Sequence, residues 1–292
     1  MKLDKNWNIL IVGLGLIGGS YAMGLQKRGY RVAAIDPDEN ALAYALENGM
    51  ISEGSASPDP ALVGAADLCI FALYPHVFTQ WIRENQHLFR PGAVLSDVTG
   101  VKAPVVYAVQ EMLRPDVEFI AAHPMAGREL SGVQNADDGI FADANYIVVP
   151  TDRNSFHAVQ VCRSIGETLG FARISALPPR AHDEMIGFVS QLTHIIAMSL
   201  MNCSKSEHLV DYTGDSFRDL TRIARMNETM WSELFLLNKD ALLNQITDFT
   251  KELNEVYRIL ETGDAEALME KMRSSTARRA LFDKKPKEET AV

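Results

Sequence analysis

One histidine in a loop that contains glycines is the strongest candidate for acid–base chemistry. His123 follows a β-rich run and opens the segment HPMAGRELSG at residues 123–132. Loops that leave a strand often carry functional side chains, and an imidazole titrates near neutral pH, which suits a general base. His123 is therefore predicted to exchange a proton with a substrate.

Three further polar side chains stand where a ligand or the core could use them. His194 lies in an apolar helical stretch with Ser190 one turn before it. Because burial without a partner is costly, His194 is either a satisfied core histidine or faces a ligand cleft. Asp97 and Thr99 leave a predicted strand, where they either cap the next helix or meet a ligand at the carboxyl edge of a sheet.

A group of arginines recurs at helical spacing in a chain that is short of positive charge. Arg218, Arg222 and Arg225 stand at i, i+4 and i+7, which predicts one face of a helix. This face is either solvated or holds an anionic substrate through paired guanidinium–carboxylate hydrogen bonds. Asp219, a helical neighbour of Arg222, could orient it.

A glycine-rich turn near the amino terminus has the pattern of a dinucleotide-binding loop. It follows a predicted strand and opens a predicted helix, the context that makes a G-x-G-x-x-G pattern informative. The first glycine makes a tight turn, the second lets the backbone approach a pyrophosphate, and the third allows close helix packing. The loop consists of Gly13, Leu14, Gly15, Leu16, Ile17 and Gly18.

An acidic residue after the next predicted strand indicates which dinucleotide binds. Asp36 is placed to accept hydrogen bonds from the adenosine ribose hydroxyls. Asp38 and Glu39 follow closely, so three carboxylates and no Lys or Arg stand where a 2′-phosphate would lie. The sequence therefore predicts NAD rather than NADP as cofactor. A glycine turn that binds no nucleotide is the alternative, and the common register of strand, turn, helix and acid disfavours it.

Short β-rich runs alternate with helical stretches from residue 8 to about residue 171, which predicts a Rossmann-type α/β domain with a mostly parallel sheet. The predicted strands are Ile9–Val12, Arg31–Ile35, Leu68–Ala72, Ala93–Asp97, Glu118–Ala121 and Tyr146–Val149. The predicted helices lie near Ile17–Arg28, Glu39–Glu47, His76–Asn85, Lys102–Leu113 and Ser155–Leu169.

Helical periodicity replaces the β-rich runs after Pro178 and Pro179. We predict a nucleotide-binding domain over residues 1–175, an all-α dimerisation domain over 176–283 and a polar tail over 284–292. The first helix of the second domain, Arg180–Met201, is apolar on most faces. A domain of this size cannot bury such a helix alone, so a homodimer is predicted.

The amino-acid composition indicates which partners are disfavoured and which cellular compartment is favoured. The 292 residues include 28 Lys and Arg and 38 Asp and Glu, which gives a formal charge of −10. This negative charge disfavours nucleic acid as a partner. Cys69, Cys162 and Cys203 are isolated, which favours the reducing cytoplasm. The histidines show no metal-binding spacing, and no apolar run calls for a membrane span.

Five segments together resemble the prephenate and arogenate dehydrogenase family of tyrosine biosynthesis, in the family's order and with similar spacing. The first is shared by many dehydrogenases, whereas the whole set covers most of the chain. They are GLGLIGGS at 13–20, DVTGVK at 97–102, HPMAGRELSG at 123–132, SQLTH at 190–194 and FRDLTRIA at 217–224.

The resemblance implies an NAD-dependent oxidative decarboxylation of prephenate to 4-hydroxyphenylpyruvate and CO₂ in a cytoplasmic dimer. His123 would accept the proton of the ring hydroxyl, and His194 matches a second active-site histidine. Arg222 matches the arginine that binds a substrate carboxylate, and Ser190 would also contact substrate. Glu129 and Asp219 would form an ionic gate around Arg222.

One position departs from the family's pattern. Some members carry a serine where Gly100 stands, and its hydroxyl is thought to bridge substrate and nicotinamide. Thr99 or a water molecule could take its place, and Asp97 is predicted among the residues that bind the cofactor. Arogenate is the alternative substrate, because it differs from prephenate only by an amine in place of a keto group.

Two rivals of other kinds share parts of this pattern. Hydroxyacid and imine reductases share the domain plan, but they usually carry a catalytic lysine on the long helix, and residues 180–201 contain none. A non-catalytic nucleotide sensor predicts decay of His123 and Arg222, which are both present.

Overall fold

Residues 3–281 are described by the structure, a computed structural model of the chain. The described strands are β1 (Asn8–Val12), β2 (Arg31–Ile35), β3 (Glu53–Ser55), β4 (Leu68–Phe71), β5 (Val94–Asp97), β6 (Glu118–Phe119), β7 (Ala121–Pro124), β8 (Asn145–Val149) and β9 (Arg173–Ala176).

The α-helices alternate with these strands up to β9 and follow one another after it. They are α1 (Leu16–Lys27), α2 (Glu39–Glu47), α3 (Pro60–Ala65), α4 (Pro75–Asn85), α5 (Ala103–Met112), α6 (Phe156–Leu169), α7 (Pro179–Ile186), α8 (Thr193–Cys203), α9 (Leu209–Tyr212), α10 (Asp215–Thr221), α11 (Glu228–Leu237), α12 (Lys239–Thr262) and α13 (Ala265–Ala280).

A six-stranded parallel sheet forms the centre of the nucleotide-binding half. Its strand order is β3-β2-β1-β4-β5-β6, and every pairing is parallel. The apolar run Ile9–Val12 is buried because helices cover both faces of such a sheet. The chain order reverses between β1 and β4, and ligands bind at the carboxyl ends of strands at such a point. The predicted α/β class with a parallel sheet is confirmed.

A second, three-stranded sheet contains the candidate base. β7 runs antiparallel to β8, and β8 runs parallel to β9. The predicted strand Glu118–Ala121 is therefore wrong in extent, because it divides at Ile120 between the two sheets. The backbone N–H of Ala122 donates to the carboxylate of Asp97 at 3.2 Å instead of to a strand of the first sheet. His123 consequently lies within β7, opposite Ile147, and not after its end.

The long apolar helix predicted over Arg180–Met201 consists of three segments. A π-helical turn over Gly187–Leu192 separates α7 from α8 and carries Ser190. Such turns are frequent at functional sites. The arginine face predicted further on is also interrupted, because α10 ends at Thr221 and a 3₁₀ turn follows over Arg222–Ala224.

The chain divides into two compact units, residues 1–242 and 243–292. The first holds both sheets and the helices through α11. In the described part of the second, Lys271 of α13 pairs with Glu252 and Glu255 of α12, each at 2.8 Å. The polar tail predicted for residues 284–292 lies outside the described residues, and the predicted domain boundaries stay predictions.

Candidate active site

The glycine loop leaves open space at one position and none at two others. Gly13 has a φ of +98°, and a Cβ atom there would lie 2.5 Å from the carbonyl oxygen of Ala72. A Cβ on Gly18 would lie 1.9 Å from the carbonyl oxygen of Gly13, whereas no described atom lies within 4 Å of one on Gly15. The loop is thus packed against β4 and open above Gly15, as a backbone that receives a pyrophosphate requires.

The carboxylate of Asp36 is held by the loop that it faces. Its Oδ2 accepts a hydrogen bond from the backbone N–H of Leu14 at 2.6 Å, and its Oδ1 accepts one from Asp38 at 2.8 Å. These bonds orient the carboxylate at the carboxyl end of β2, beside the glycine turn. A carboxylate has further lone pairs, so Asp36 can also accept from ribose hydroxyls.

A buried ion pair lies beneath the candidate base. Nζ of Lys102 lies 2.7 Å from Oδ2 of Asp97, and both side chains are fully buried. The Thr99 hydroxyl donates to Asp97 and accepts from Lys102 at 3.2 Å. Burial lowers the pKa of Lys102, and the charge of Asp97 and its hydrogen bond oppose that shift.

The hydrogen bonds among Asp97, Thr99 and Lys102 affect the roles predicted for Asp97 and Thr99. Asp97 is 1% exposed and Thr99 is 4% exposed, so neither presents an open surface to a ligand. The cofactor contact predicted for Asp97 and the catalytic contact predicted for Thr99 stay predictions, and the geometry favours a positioning role for both.

His123 is the first member of a chain of hydrogen-bonded side chains. Its Nδ1 lies 2.9 Å from Nε2 of His182, and Nδ1 of His182 lies 2.8 Å from Oδ1 of Asp183. Burial lowers the pKa of His123 well below its ordinary value, and the positive charge of a protonated His182 or of Lys102 lowers it further. His123 is consequently neutral at neutral pH and can accept a proton.

The free nitrogen of His123 faces the glycine that departs from the family's pattern. A Cβ atom on Gly100 would lie 4.0 Å from Nε2 of His123 and 3.4 Å from a methyl carbon of Leu234. Both separations are ordinary contact distances, so a serine would fit at this position. Leu234 of α11 borders the same space with an apolar side chain.

His194 packs against a tryptophan of α11. The ring centroids of His194 and Trp231 are 3.8 Å apart, and Nδ1 of His194 donates to the backbone carbonyl of Ser190 at 2.8 Å. A donating Nδ1 in a neutral ring leaves Nε2 as an acceptor. Burial lowers the pKa of His194 and so favours that neutral form.

The ionic contact around Arg222 involves one of the two predicted acids. Arg222 pairs with Glu129 of the loop that follows β7, and both side chains remain partly exposed. The side chain of Asp219 is exposed on α10 and makes no hydrogen bond or ion pair with any residue in the described range 3–281. Arg218 pairs with Asp215 instead of sharing a face with Arg222.

Comparison with known proteins assigns the chain to a family. The family model "Prephenate dehydrogenase, nucleotide-binding domain" matches residues 21–175, and "Prephenate dehydrogenase, dimerization domain" matches residues 178–274. The chain belongs to the prephenate dehydrogenase family. It is therefore an oxidoreductase of the NAD-binding, Rossmann-type class. The glycine loop precedes the matched range, so its assignment rests on its geometry.

Individual members of the prephenate dehydrogenase family resemble the chain over most of its length. The prephenate dehydrogenase of Bacillus subtilis (strain 168) is 32% identical over 270 residues, which are 89% of this chain and 72% of that protein. The cyclohexadienyl dehydrogenase of Zymomonas mobilis is 26% identical and covers 94% of this chain, with 96% of its own length matched.

A solved structure in the same family carries ligands. Prephenate dehydrogenase from A. aeolicus, in complex with hydroxyphenyl propionate and NAD⁺, superimposes with a TM-score of 0.88 at 28% identity. The match covers 97% of this chain and 100% of that one.

Sequence reasoning missed the two residues that extend from His123. The sequence assigns His182 to surface or packing and Asp183 to no role. Their adjacency immediately after Pro178 and Pro179 is a signal, because a histidine beside a carboxylate at a helix start has a ready hydrogen-bond partner. The motif DVTGVK assigns no role to Lys102, although its spacing from Asp97 allows an ion pair.

Proposed function

We propose that the protein catalyses the NAD⁺-dependent oxidative decarboxylation of prephenate to 4-hydroxyphenylpyruvate, CO₂ and NADH in tyrosine biosynthesis. The observation that carries the proposal is the neutral His123, whose Nε2 faces the space between Gly100 and Leu234. A neutral imidazole with a bare nitrogen suits removal of a hydroxyl proton. Membership of the prephenate dehydrogenase family supplies the substrate class.

The residues of the glycine loop and Asp36 fit an NAD⁺ molecule. The open space above Gly15 would receive the pyrophosphate, and the start of α1 would supply N–H donors, because no side chain caps that helix. Asp36 would bind the ribose hydroxyls, and its charge would repel a 2′-phosphate. When bound, NAD⁺ accepts the hydride that leaves the ring carbon.

The protein's own side chains handle the proton and the charges of the substrate. His123 would take the hydroxyl proton at Nε2 as the ring carbon is oxidised, and loss of CO₂ then makes the ring aromatic. Aromatisation drives the reaction, so the protein's main task is to position the substrate. Ser190 and His194 would border the substrate, and Arg222 would bind one of its carboxylates.

The test is the absorbance of reduced nicotinamide after the protein is mixed with substrate and cofactor. Prephenate and arogenate are each tried with NAD⁺ and with NADP⁺. We expect turnover with prephenate and NAD⁺, and a clear preference for NAD⁺ over NADP⁺ because of Asp36. Turnover with arogenate but not with prephenate would show that arogenate is the substrate. No reduction of the cofactor in any of the four mixtures would contradict the proposal.

Replacement of the substrate-binding arginine should weaken substrate binding more than turnover. Arg222→Ala removes a charged hydrogen bond worth about 1.5–3 kcal/mol, so KM for prephenate should rise about ten- to hundredfold. Steady-state kinetics measure the effect. Arg218→Ala is the matched control, because Arg218 pairs with Asp215, and its KM should not change. An unchanged KM in Arg222→Ala would indicate a solvated arginine.

The apolar surface around α7 and α8 supports a homodimer. One helical run, Pro179–Cys203, is long and apolar enough to cross a membrane, and 28% of its apolar window is buried. Met185 and Phe188 are about half exposed. The run lies within the match to the dimerization domain. We therefore propose that a second copy of the chain packs against this apolar surface, and that the dimer is cytoplasmic.

The homodimer has a direct test in the mass of the protein in solution. We expect sedimentation equilibrium at micromolar concentration to give twice the chain mass of 32.3 kDa. A monomeric mass under the same conditions would contradict the proposal.

A further inference from the structure

We propose that His182 and Asp183 are positioning residues that keep Nε2 of His123 unprotonated and stabilise the positive charge that His123 gains during the reaction. The inference rests on the proposed function, in which that nitrogen accepts the hydroxyl proton. It concerns residues that reach the substrate only through His123.

The chain of hydrogen bonds begins at a carboxylate that is surrounded by donors. Oδ1 of Asp183 accepts from the backbone N–H of Lys102 at 2.8 Å, and Oδ2 accepts from that of Ala103 at 2.7 Å. These N–H groups belong to the start of α5, where the helix dipole favours a negative charge. Asp183 therefore acts as an acceptor toward His182 as well.

The acceptor at Asp183 determines the tautomer of both histidines. A neutral imidazole carries one N–H, and burial keeps His182 neutral because it lowers its pKa. Nδ1 of His182 must donate to Asp183, so its Nε2 is an acceptor. Nδ1 of His123 must then donate to that Nε2, which leaves Nε2 of His123 bare.

The same chain offsets the charge that the reaction creates. When Nε2 of His123 takes the proton, the ring becomes a cation with Nδ1 still bonded to His182. Lys102 and Asp97 also lie near His123, but they are paired with each other at 2.7 Å. Among the buried charges around His123 in the described chain, Asp183 is thus the carboxylate that offsets the new cation.

Packing around Asp183 keeps this geometry rigid. Nδ2 of Asn238 donates to the backbone carbonyl of Asp183 at 2.9 Å and to Oε1 of Gln191 at 2.7 Å. Gln191 in turn donates to the carbonyl of Leu234 at 3.1 Å, so α7 and α11 are joined beside the base. A tautomer can be specified only where its partners are held in place.

A purely structural role makes different predictions. If Asp183 only capped α5 and His182 only filled space, their replacement would lower stability and leave the tautomer and pH profile of the remaining enzyme unchanged. Measurements on His123 itself therefore separate the two roles.

The first experiment reads the tautomer of the wild-type protein without any turnover. Nitrogen-15 NMR of histidine-labelled protein, with His123 assigned by comparison with His123→Asn, should show a protonated Nδ1 and a bare Nε2 at pH 7. A protonated Nε2 would overturn the proposal. This result does not depend on the substrate, so it stands apart from the failure or success of the proposed function.

The second experiment uses two replacements that interrupt the chain differently. In His182→Gln, an amide oxygen can still accept from Nδ1 of His123, so the tautomer should persist while the link to Asp183 is lost. We expect kcat to fall about tenfold and the acid limb of its pH profile to move to lower pH, because the cation of His123 is less stable.

In Asp183→Asn, the amide oxygen can stay toward His182 and the N–H of Lys102, so both tautomers should persist. The negative charge that offsets the cation of His123 is lost, and the amide nitrogen faces the N–H of Ala103. We expect Nε2 of His123 to stay bare in the NMR spectrum, the acid limb of the pH profile to move to lower pH and kcat to fall about ten- to a hundredfold.

The control matches the chemistry of the second replacement. Asp59 is a helix-capping aspartate that accepts from Ala61 at 2.7 Å and from Leu62 at 3.0 Å, in α3. Asp59→Asn should leave kcat, the pH profile and the tautomer unchanged. If Asp183→Asn fails to fold, the kinetics of His182→Gln and the NMR spectrum of the wild-type protein still test the proposal. A wild-type pH profile and kcat in His182→Gln would overturn the proposal.

Discussion

His123→Asn should lower kcat with prephenate by about 10²–10⁴-fold, the range of general acid–base catalysis. The asparagine amide can occupy the position of Nδ1 and keep a hydrogen bond to His182, but it has no atom at the position of Nε2. The base that faces Gly100 is therefore removed while its support remains. Steady-state kinetics of NADH formation measure the loss.

The affinity for NAD⁺ should change little in this variant. The glycine loop and Asp36 lie at the carboxyl ends of β1 and β2, whereas His123 lies in β7 of the other sheet. A fluorescence titration with NADH measures the affinity. His87→Asn, at an exposed histidine, is the matched control and should keep both quantities. A normal kcat in His123→Asn would remove this residue from the mechanism.

The pH dependence of the wild-type enzyme follows from the same histidine. Burial and the positive charge of Lys102 lower the pKa of His123 well below the ordinary value of about 6.5. Protonation of Nε2 blocks the base, so kcat/KM should stay level as the pH falls to 6.5 and decrease only at lower pH. Loss of activity above pH 6.5 on acidification would contradict this assignment of the base.

The regular part of the fold was predictable because its signals are local. β1 and β2 are apolar, β-branched runs bounded by turns, and the structure places them within one residue of the prediction. β3, residues Glu53–Ser55, was missed because three residues without an apolar pattern carry no periodicity. The break at Ile120 was also missed, since the apolar run continues through it and the change of sheet depends on Asp97, 25 residues away in sequence.

The site was predictable where a short motif carries its own geometry. The glycine turn and Asp36 belong to one strand–helix–strand unit, so their spacing predicts that both lie at the carboxyl edge of the sheet. The pairs His123–His182 and Arg222–Glu129 join residues 59 and 93 positions apart, which no local pattern specifies. Asp219 shows the opposite problem. Its closeness to Arg222 in sequence predicts a contact, but the 3₁₀ turn that begins at Arg222 separates the two side chains.

Lys102→Met should reduce the free energy of unfolding by about 3–5 kcal/mol, because it leaves the carboxylate of Asp97 buried without its cation. The wild-type pair is fully buried, with Nζ 2.7 Å from the carboxylate, so no solvent can replace the lost charge. Urea unfolding monitored by far-UV circular dichroism measures the change. It is a large fraction of the stability of a typical domain.

Two further variants separate the buried charge from the lost packing. In the double variant Asp97→Asn with Lys102→Met, no charge is buried and the amide oxygen can still accept from Ala122, so most of the stability should return. Lys27→Met removes the cation of an exposed pair with Asp138 and should cost about 0–1 kcal/mol. Equal losses in the single and double variants would contradict the assignment of the lost stability to the unpaired charge of Asp97. Recovery in the double variant would show that the single variant loses stability because the charge of Asp97 is buried without a partner.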